Sequence, residues 1–174
     1  NTILTAWERR EKVVAVMMDL SKAFDTIDHS ILLDKLPAYG VNGPAKEWLR
    51  SYLRNRSQVV KNCHHRSECL PITCGVPQGS NLGPLLFILY INDIIATSNK
   101  TQLILYADDC TCLLPSSNVS EAFSMMNSEL TAIHEWFKQN KLSLTLTKTK
   151  AMVFSTKPID LSSVGDITIG NQKI

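Results

Sequence analysis

The chain has 174 residues, enough to bury one sizeable core, and this length favours a single domain. Hydrophobic residues make up 44% of it and charged residues 20%, ordinary values for a globular protein that exclude the disordered and fibrous classes. The longest apolar run, residues 85–91, is far shorter than the roughly 18 to 20 residues of a membrane-spanning helix, so we expect an intracellular protein with no membrane partner. Because the sequence begins with Asn1 rather than methionine, we expect it to be part of a longer protein.

The net charge is only +2, but the basic residues are concentrated in two stretches. Residues 46–66 hold six basic residues and one acidic residue, Glu47, and residues 138–157 hold five lysines and no acidic residue. Positive clusters on a nearly neutral chain indicate surfaces that bind a polyanion such as nucleic acid. Taken alone, each stretch is equally well explained as a solvated helix or loop face.

The first part of the chain predicts one strand followed by two helices. Residues 12–20 form a continuous, valine-rich apolar run that contains Asp19 near its end, which is typical of a strand buried on both faces. The segment "DHSILLDKLPAYG" predicts a helix capped by Asp28 or Ser30. The segment "GPAKEWLRSYLRN" predicts a second helix, with proline just inside its start.

The middle of the chain predicts two hairpins around one helix. The segments "SQVVKNC" and "LPITC" indicate two short strands, and "LLFILYINDIIA" has the composition of a helix buried nearly all round. The segment "QLILYADDCTCLL" predicts two strands joined by a tight turn at Asp108 and Asp109, since aspartate tolerates turn conformations. Cys110 and Cys112 would then share one face of a strand without forming a disulfide.

The last part of the chain contains the clearest amphipathic helix, over residues 118–140, where apolar residues recur every three or four positions. Asn118 and Glu121 predict a capping box at its start. A strand at "KAMVFS" follows, and "DITIGNQKI" indicates one more strand with its turn. This order predicts an α+β fold, an antiparallel sheet covered by helices on one face.

Three aspartates occur where the predicted strands end. Asp19 closes one buried strand, and Asp108 and Asp109 form the turn of a hairpin, so neighbouring strands would bring the carboxylates together. Two carboxylates about 4 Å apart repel each other by roughly 4 kcal/mol at an effective dielectric near 20. Such a group persists if a proton is shared or if divalent cations bind, and Mg²⁺ in particular takes carboxylate and phosphate oxygens. An isolated pair of aspartates in a hairpin is more often an ordinary surface turn.

Three motifs stand in order along the chain: "MMDLSKAFDTIDH", "GVPQGSNLGPLLFILYIND" and "YADD". Together they resemble the palm domain of reverse transcriptases, specifically those of non-long-terminal-repeat (LINE-type) retrotransposons. The segments "WLRSYLRNRSQVV" and "WFKQNKLSLTLTKTKAMVF" resemble the same family, so the resemblance covers nearly the whole chain. It implies that residues 1–174 are a palm with part of the fingers, without the upstream fingers, the thumb and an endonuclease.

The resemblance implies a catalytic centre that binds two Mg²⁺ ions, with Mn²⁺ as the alternative. Asp19 and Asp108 would be the principal metal ligands, Asp109 the third acidic member, and the backbone carbonyl of Leu20 would complete one metal's coordination. Lys148 in "TKTK" resembles the family's lysine near the triphosphate, a general acid for the departing pyrophosphate, although a solvated lysine has equal weight. The chain carries Thr145 where family members often have asparagine.

The resemblance also implies a pocket for the incoming deoxynucleoside triphosphate. Its residues would be Ala23, Phe24, Gln78, Gly79 and Tyr106. Phe24 stands where the family places an aromatic plate beneath the sugar, which would clash with a 2′-hydroxyl and so select deoxynucleotides. Gln78 would line the pocket, and Tyr106 would support the site or contact the primer end.

The partners implied by the resemblance are an RNA template and a DNA primer. Arg54, Arg56 and Lys61 would contact their phosphates, which position a duplex without reading its sequence. In the intact element we expect the protein in the nucleus and cytoplasm, as a ribonucleoprotein. The sequence leaves its oligomeric state open.

The function implied is an RNA-directed DNA polymerase, a nucleotidyltransferase, although we expect this chain to be inactive on its own. One alternative is a domesticated or decayed copy, catalytically silent, that only binds RNA. A second is a related polymerase, such as a group II intron maturase or telomerase. A metal-dependent nuclease is a more distant alternative, since only the carboxylates support it.

Overall fold

The computed structural model describes residues 2–162 and 164–174, which form two compact units. We call Asn1–Ser21 with Asp93–Ile174 the sheet unit and Lys22–Asn92 the helix unit. The α-helices are α1 (Thr2–Glu8), α2 (His29–Lys35), α3 (Gly43–Leu53), α4 (Leu82–Ile91) and α5 (Val119–Gln139). The strands are β1 (Lys12–Asp19), β2 (Ser57–Gln58), β3 (Lys61–Asn62), β4 (His65–Arg66), β5 (Leu70–Pro71), β6 (Gln102–Tyr106), β7 (Asp109–Ser116), β8 (Lys150–Phe154), β9 (Thr168–Ile169) and β10 (Gln172–Lys173).

The sheet unit is built on four antiparallel strands in the order β6-β7-β1-β8. β1 lies between two neighbours, and its residues 13–16 are all buried, which explains the continuous valine-rich run. Its pairing with β7 extends from Lys12 opposite Ser116 to Asp19 opposite Asp109. The predicted strand, the antiparallel sheet and the α+β class are confirmed.

Helices cover this sheet in two places. α1 packs Ala6 against Val13, Ala15 and Leu113, at the end of the sheet away from Asp19. α5 also packs on β1 and β7. α1 was not predicted from the sequence, so this helix is an addition to the helices expected on the sheet.

Cys110 and Cys112 of β7 are buried free thiols, so the prediction that they form no disulfide is confirmed. A side-chain hydrogen bond between them and burial raise the pKa of Cys112 well above its usual range. The Cys112 thiol therefore stays protonated at neutral pH, and both buried cysteines act as apolar core residues.

α5 confirms the predicted amphipathic helix to within one residue at each end. The side chain of Asn118 caps it by accepting hydrogen bonds from the N–H groups of Ser120 (3.0 Å) and Glu121 (3.4 Å). The N–H of Asn118 donates to Ser116 Oγ at 3.1 Å rather than to Glu121. Only half of the predicted capping box is therefore present.

The helix unit packs α2 against both α3 and α4. Asp28 caps α2, as one of the two predicted alternatives, by accepting from the N–H groups of Ser30 and Ile31. The predicted first hairpin is two nested strand pairs, β2 with β5 and β3 with β4. No helix within residues 2–162 or 164–174 combines the length and the apolar character needed to cross a membrane.

α4 differs from its prediction as a helix buried nearly all round. Phe87 and Tyr90 are in the core, but Leu85 is 50% exposed and Ile88 is 55% exposed. A run that is apolar on every side carries no asymmetry, so its sequence cannot show which face is covered.

Candidate active site

Asp19 and Asp109 face each other at the end of the two central strands of the sheet unit. Asp19 is the last residue of β1, and its partner Asp109 is the first residue of β7. Directly opposite residues of an antiparallel pair lie on one face of the sheet, with Cβ atoms roughly 4.5 to 5.5 Å apart. The Asp19 side chain is 29% exposed, so this carboxylate is only partly removed from water.

Asp108 lies in the two-residue turn that joins β6 to β7, between the paired residues Tyr106 and Asp109. Ala107, the first residue of the turn, has φ +50°, a conformation that favours glycine. The tightness of the turn requires this strained position. Asp108 directly precedes Asp109 in the chain and so adjoins the Asp19–Asp109 pair. Tyr106 is 80% exposed.

A second segment is held against the end of β1 by backbone hydrogen bonds. The N–H of Thr145 donates to the carbonyl of Asp19, and the N–H of Ser21 donates to the carbonyl of Ser143, both at 2.8 Å. Leu20 forms an isolated β-bridge with Leu144, and these two bonds do not use the carbonyl of Leu20.

This segment brings Lys148 to the carboxylate of Asp19. The N–H of Lys148 donates to the carbonyl of Thr145, and its Nζ lies 3.5 Å from Asp19 Oδ2. The lysine side chain is 68% exposed, so the ion pair contributes little to stability. Because Thr145 makes these contacts through its backbone, the departure from asparagine leaves them intact. The catalytic role of Lys148 stays a prediction.

The donors at this sheet end are the hard carboxylate oxygens that Mg²⁺ takes. Among the described residues, no group of three or more His, Cys, Asp or Glu side chains is placed to hold a metal ion. Magnesium is usually bound by one or two carboxylates together with substrate phosphates, so the chemistry of Asp19, Asp108 and Asp109 fits without a closed cage. The ligand set with Leu20 stays a prediction.

The helix unit contains the other predicted site residues. Ala23 is buried, and the half-buried ring of Phe24 packs on Phe87 with centroids 4.7 Å apart. Gln78 lines a cavity of about 600 Å³ within this unit, and Gly79 follows it with φ +78°.

Arg56 is the predicted nucleic-acid contact that lines this same cavity, together with Lys22 and Asp25. Its guanidinium lies over the ring of Tyr52, 5.4 Å from the centroid. Arg54 follows α3 and Lys61 is in β3, both exposed and outside the lining of this cavity. The structure therefore brings one of the three cations to the cavity.

Two glycines with similar backbone conformations permit a test of how tightly the cavity wall is packed. Gly75 has φ +81° and a Cβ there would lie 2.7 Å from the backbone oxygen of Asp25, whereas Gly79 has φ +78° and open space. We expect Gly79→Ala to lower the free energy of unfolding by about 1 to 2 kcal/mol through backbone strain alone. Gly75→Ala should cost about 3 kcal/mol or more, because the clash with backbone adds to the strain.

Chemical denaturation followed by circular dichroism measures both variants on the 174-residue chain. Equal losses for the two substitutions would contradict the close approach of Gly75 to Asp25.

Family comparison identifies the fold's relatives. A family model described as "Reverse transcriptase (RNA-dependent DNA polymerase)" matches residues 2–165. The chain belongs to the reverse transcriptase family. The predicted resemblance to enzymes of non-long-terminal-repeat retrotransposons is confirmed by its relatives.

Curated relatives of this reverse transcriptase domain come from mobile elements. The "Probable RNA-directed DNA polymerase from transposon BS" of Drosophila melanogaster is 33% identical over 93% of this chain and 19% of its own length. The "RNA-directed DNA polymerase from mobile element jockey" of the same species is 29% identical over 90% of this chain and 18% of its own length. The domain therefore spans about a fifth of the length of these relatives.

Solved structures show the same fold at low identity. Telomerase from Candida tropicalis, in complex with a fragment of telomeric RNA, superposes with a TM-score of 0.67 at 13% identity, over 92% of this chain and 30% of that one. This likeness confirms the reverse transcriptase type of fold. Reverse transcriptases generally use divalent metal ions, in keeping with the carboxylates at the end of β1.

Asp25 of this reverse transcriptase domain was not among the site residues predicted from the sequence. Gln78 donates from Nε2 to Asp25 Oδ1 at 2.8 Å, and both side chains line the cavity. The signal available was position alone, since Asp25 directly follows the predicted sugar contact Phe24 in "KAFD".

Proposed function

We propose that the protein carrying this domain is the RNA-directed DNA polymerase of a non-long-terminal-repeat retrotransposon, extending a DNA primer on an RNA template. The observation that carries the proposal is the meeting of Asp19 and Asp109 at one strand end, with Asp108 in the adjoining turn. Family membership and relatives named RNA-directed DNA polymerase support it.

In this proposal Asp19 and Asp108 are the principal ligands of two Mg²⁺ ions, or of Mn²⁺, with Asp109 and the carbonyl of Leu20 completing the set. When bound, the cations would supply activation of the primer 3′-hydroxyl and neutralisation of the charge on the departing pyrophosphate. The hydroxyl gives up its proton to solvent, its oxygen forms a bond to the α-phosphorus, and the bond between the α-phosphorus and the bridging oxygen of the pyrophosphate breaks. Lys148, 3.5 Å from Asp19 in this structure, gives a proton to the pyrophosphate as it leaves.

The deoxynucleoside triphosphate is contacted, in the same proposal, by Ala23, Phe24, Gln78, Gly79 and Tyr106. Phe24 selects the deoxy sugar by its bulk. Gln78 contributes a hydrogen-bonding group to the cavity of the helix unit.

Arg54, Arg56 and Lys61 contact phosphates of the template or primer, which gives affinity without sequence specificity. Arg56 supports this best, because it lines a cavity and is held over the Tyr52 ring. In the intact element we place the protein in ribonucleoprotein particles of the nucleus and cytoplasm.

A catalytically silent copy that only binds RNA is the second candidate, and the retained Asp19, Asp108 and Asp109 speak against it. Loss of selection on catalysis would leave no reason for three carboxylates to be kept at one strand end. A telomerase function has no separate support, since the telomerase likeness at 13% identity concerns the fold.

The test is DNA synthesis by the full-length protein on a primed RNA template. We expect primer extension that requires Mg²⁺ and all four deoxynucleotides and that stops when the metal is chelated, while the 174-residue chain alone remains inactive. Binding of RNA without any extension by the full-length protein would contradict the polymerase and favour the silent copy.

A further inference from the structure

We propose that Asp25 is a positioning residue, which fixes the side-chain amide of Gln78 for the incoming nucleotide. The inference rests on the proposed function, in which Gln78 contacts that nucleotide. Its direct observation is the hydrogen bond from Gln78 Nε2 to Asp25 Oδ1 at 2.8 Å. Asp25 is the one acidic side chain among the described residues that line this cavity.

The backbones that carry the two side chains are fastened together. The N–H of Val76 donates to the carbonyl of Phe24 at 2.9 Å, and the N–H of Gly75 donates to the carbonyl of Ile27 at 2.7 Å. His29 Nε2 donates to the carbonyl of Gly75 at 2.7 Å. These bonds hold the segment before Gln78 against the segment around Asp25. Because the backbone is already fixed, forming the side-chain hydrogen bond costs little conformational entropy.

The chemistry of the pair fixes the direction of the amide. An ionised carboxylate only accepts hydrogen bonds, so the NH₂ group of Gln78 must face Asp25 and its carbonyl oxygen must point away. The side-chain carbonyl oxygen of Gln78 is therefore a hydrogen-bond acceptor with a fixed orientation in the cavity.

The pair contributes little to folding, because both side chains are exposed in this structure. Substitutions at Asp25 should therefore leave the fold intact, and changes in kinetics can be attributed to the site. Thermal unfolding of each variant checks this point.

The first test measures steady-state DNA synthesis by the full-length protein as the concentration of one deoxynucleotide varies. Asp25→Ala frees the amide, and we expect KM for the nucleotide to rise by about tenfold while kcat changes little. Asp25→Asn can still accept from Gln78 through its own carbonyl oxygen, so KM should rise less. Asp34→Asn, an exposed carboxylate on α2 outside the cavity, is the matched control and should behave as wild type.

The second test reverses the polarity of the pair. Gln78→Glu alone places two carboxylates together and should raise KM by more than Asp25→Ala does. The double variant Asp25→Asn with Gln78→Glu restores one donor facing one carboxylate, keeps the total charge, and still presents an acceptor oxygen to the cavity. We expect its KM to return to within about threefold of wild type, a rescue that a purely structural role would not produce.

The outcomes separate the two proposals. The positioning role alone is overturned if the wild-type protein makes DNA and Asp25→Ala keeps the wild-type KM. It is also overturned if the wild-type protein makes DNA and the double variant shows no rescue of KM. A wild-type protein that makes no DNA would overturn the proposed function, and the positioning role with it.

Discussion

Replacing Asp108 with asparagine in the full-length protein is expected to lower Mg²⁺-dependent DNA synthesis by about a thousandfold or more. Asparagine keeps the size of the side chain and its turn-forming character, so the β6–β7 hairpin should remain. It replaces a negatively charged carboxylate ligand of the divalent cation with a neutral amide. Primer extension on an RNA template, measured under single-turnover conditions, reports the chemical step directly.

Asp109→Asn tests which of the two neighbouring aspartates is the more important metal ligand. The family resemblance and the strand register give different answers. The family resemblance makes Asp108 a principal ligand and Asp109 the third acidic member. The strand register instead places Asp109 directly opposite Asp19. We expect the larger loss for Asp108→Asn, and a larger loss for Asp109→Asn would reverse the assignment.

Asp160→Asn is the matched control in the same unit. Asp160 lies in the loop after β8, where a hydrogen bond from Ser162 lowers the pKa of its carboxyl group. Its removal takes away one exposed charge but no group near the end of β1, so synthesis should be unchanged. An Asp108→Asn protein with activity close to that of this control would contradict the proposed catalytic centre.

The parts of the fold that the sequence predicts are those where one residue pattern has one structural solution. The valine-rich run of β1 requires neighbours on both sides, and β7 and β8 supply them. The period of apolar residues in α5 gives its ends to within one residue. α1 is too short, at seven residues, for its period to be distinguished from chance.

The candidate site could likewise be predicted only in part from the sequence. The sequence shows from where strands end that Asp19 belongs with Asp108 and Asp109, but the pairing of Asp19 with Asp109 depends on the register between distant segments. The hydrogen bond between Asp25 and Gln78 joins residues 53 positions apart. No local pattern encodes such a contact, because an exposed aspartate has many equivalent uses.

Replacing Phe24 with valine is expected to raise the incorporation of ribonucleotides relative to deoxynucleotides by at least about tenfold. In the proposed site the Phe24 ring occupies the space that a 2′-hydroxyl would need, and valine leaves that space open. The ratio of kcat/KM for a ribonucleotide and the matching deoxynucleotide, measured with the full-length protein on one template, gives the effect.

Phe87→Leu separates this sugar selection from packing. The rings of Phe24 and Phe87 lie 4.7 Å apart, so either substitution removes the same aromatic contact and should destabilise the protein by about 1 kcal/mol. Phe87 is 1% exposed and faces the core, so its loss opens no space beside a bound sugar. An increased ribonucleotide ratio in Phe24→Val but not in Phe87→Leu would assign selection to the Phe24 side chain, whereas equal ratios in both variants would reduce Phe24 to a packing residue.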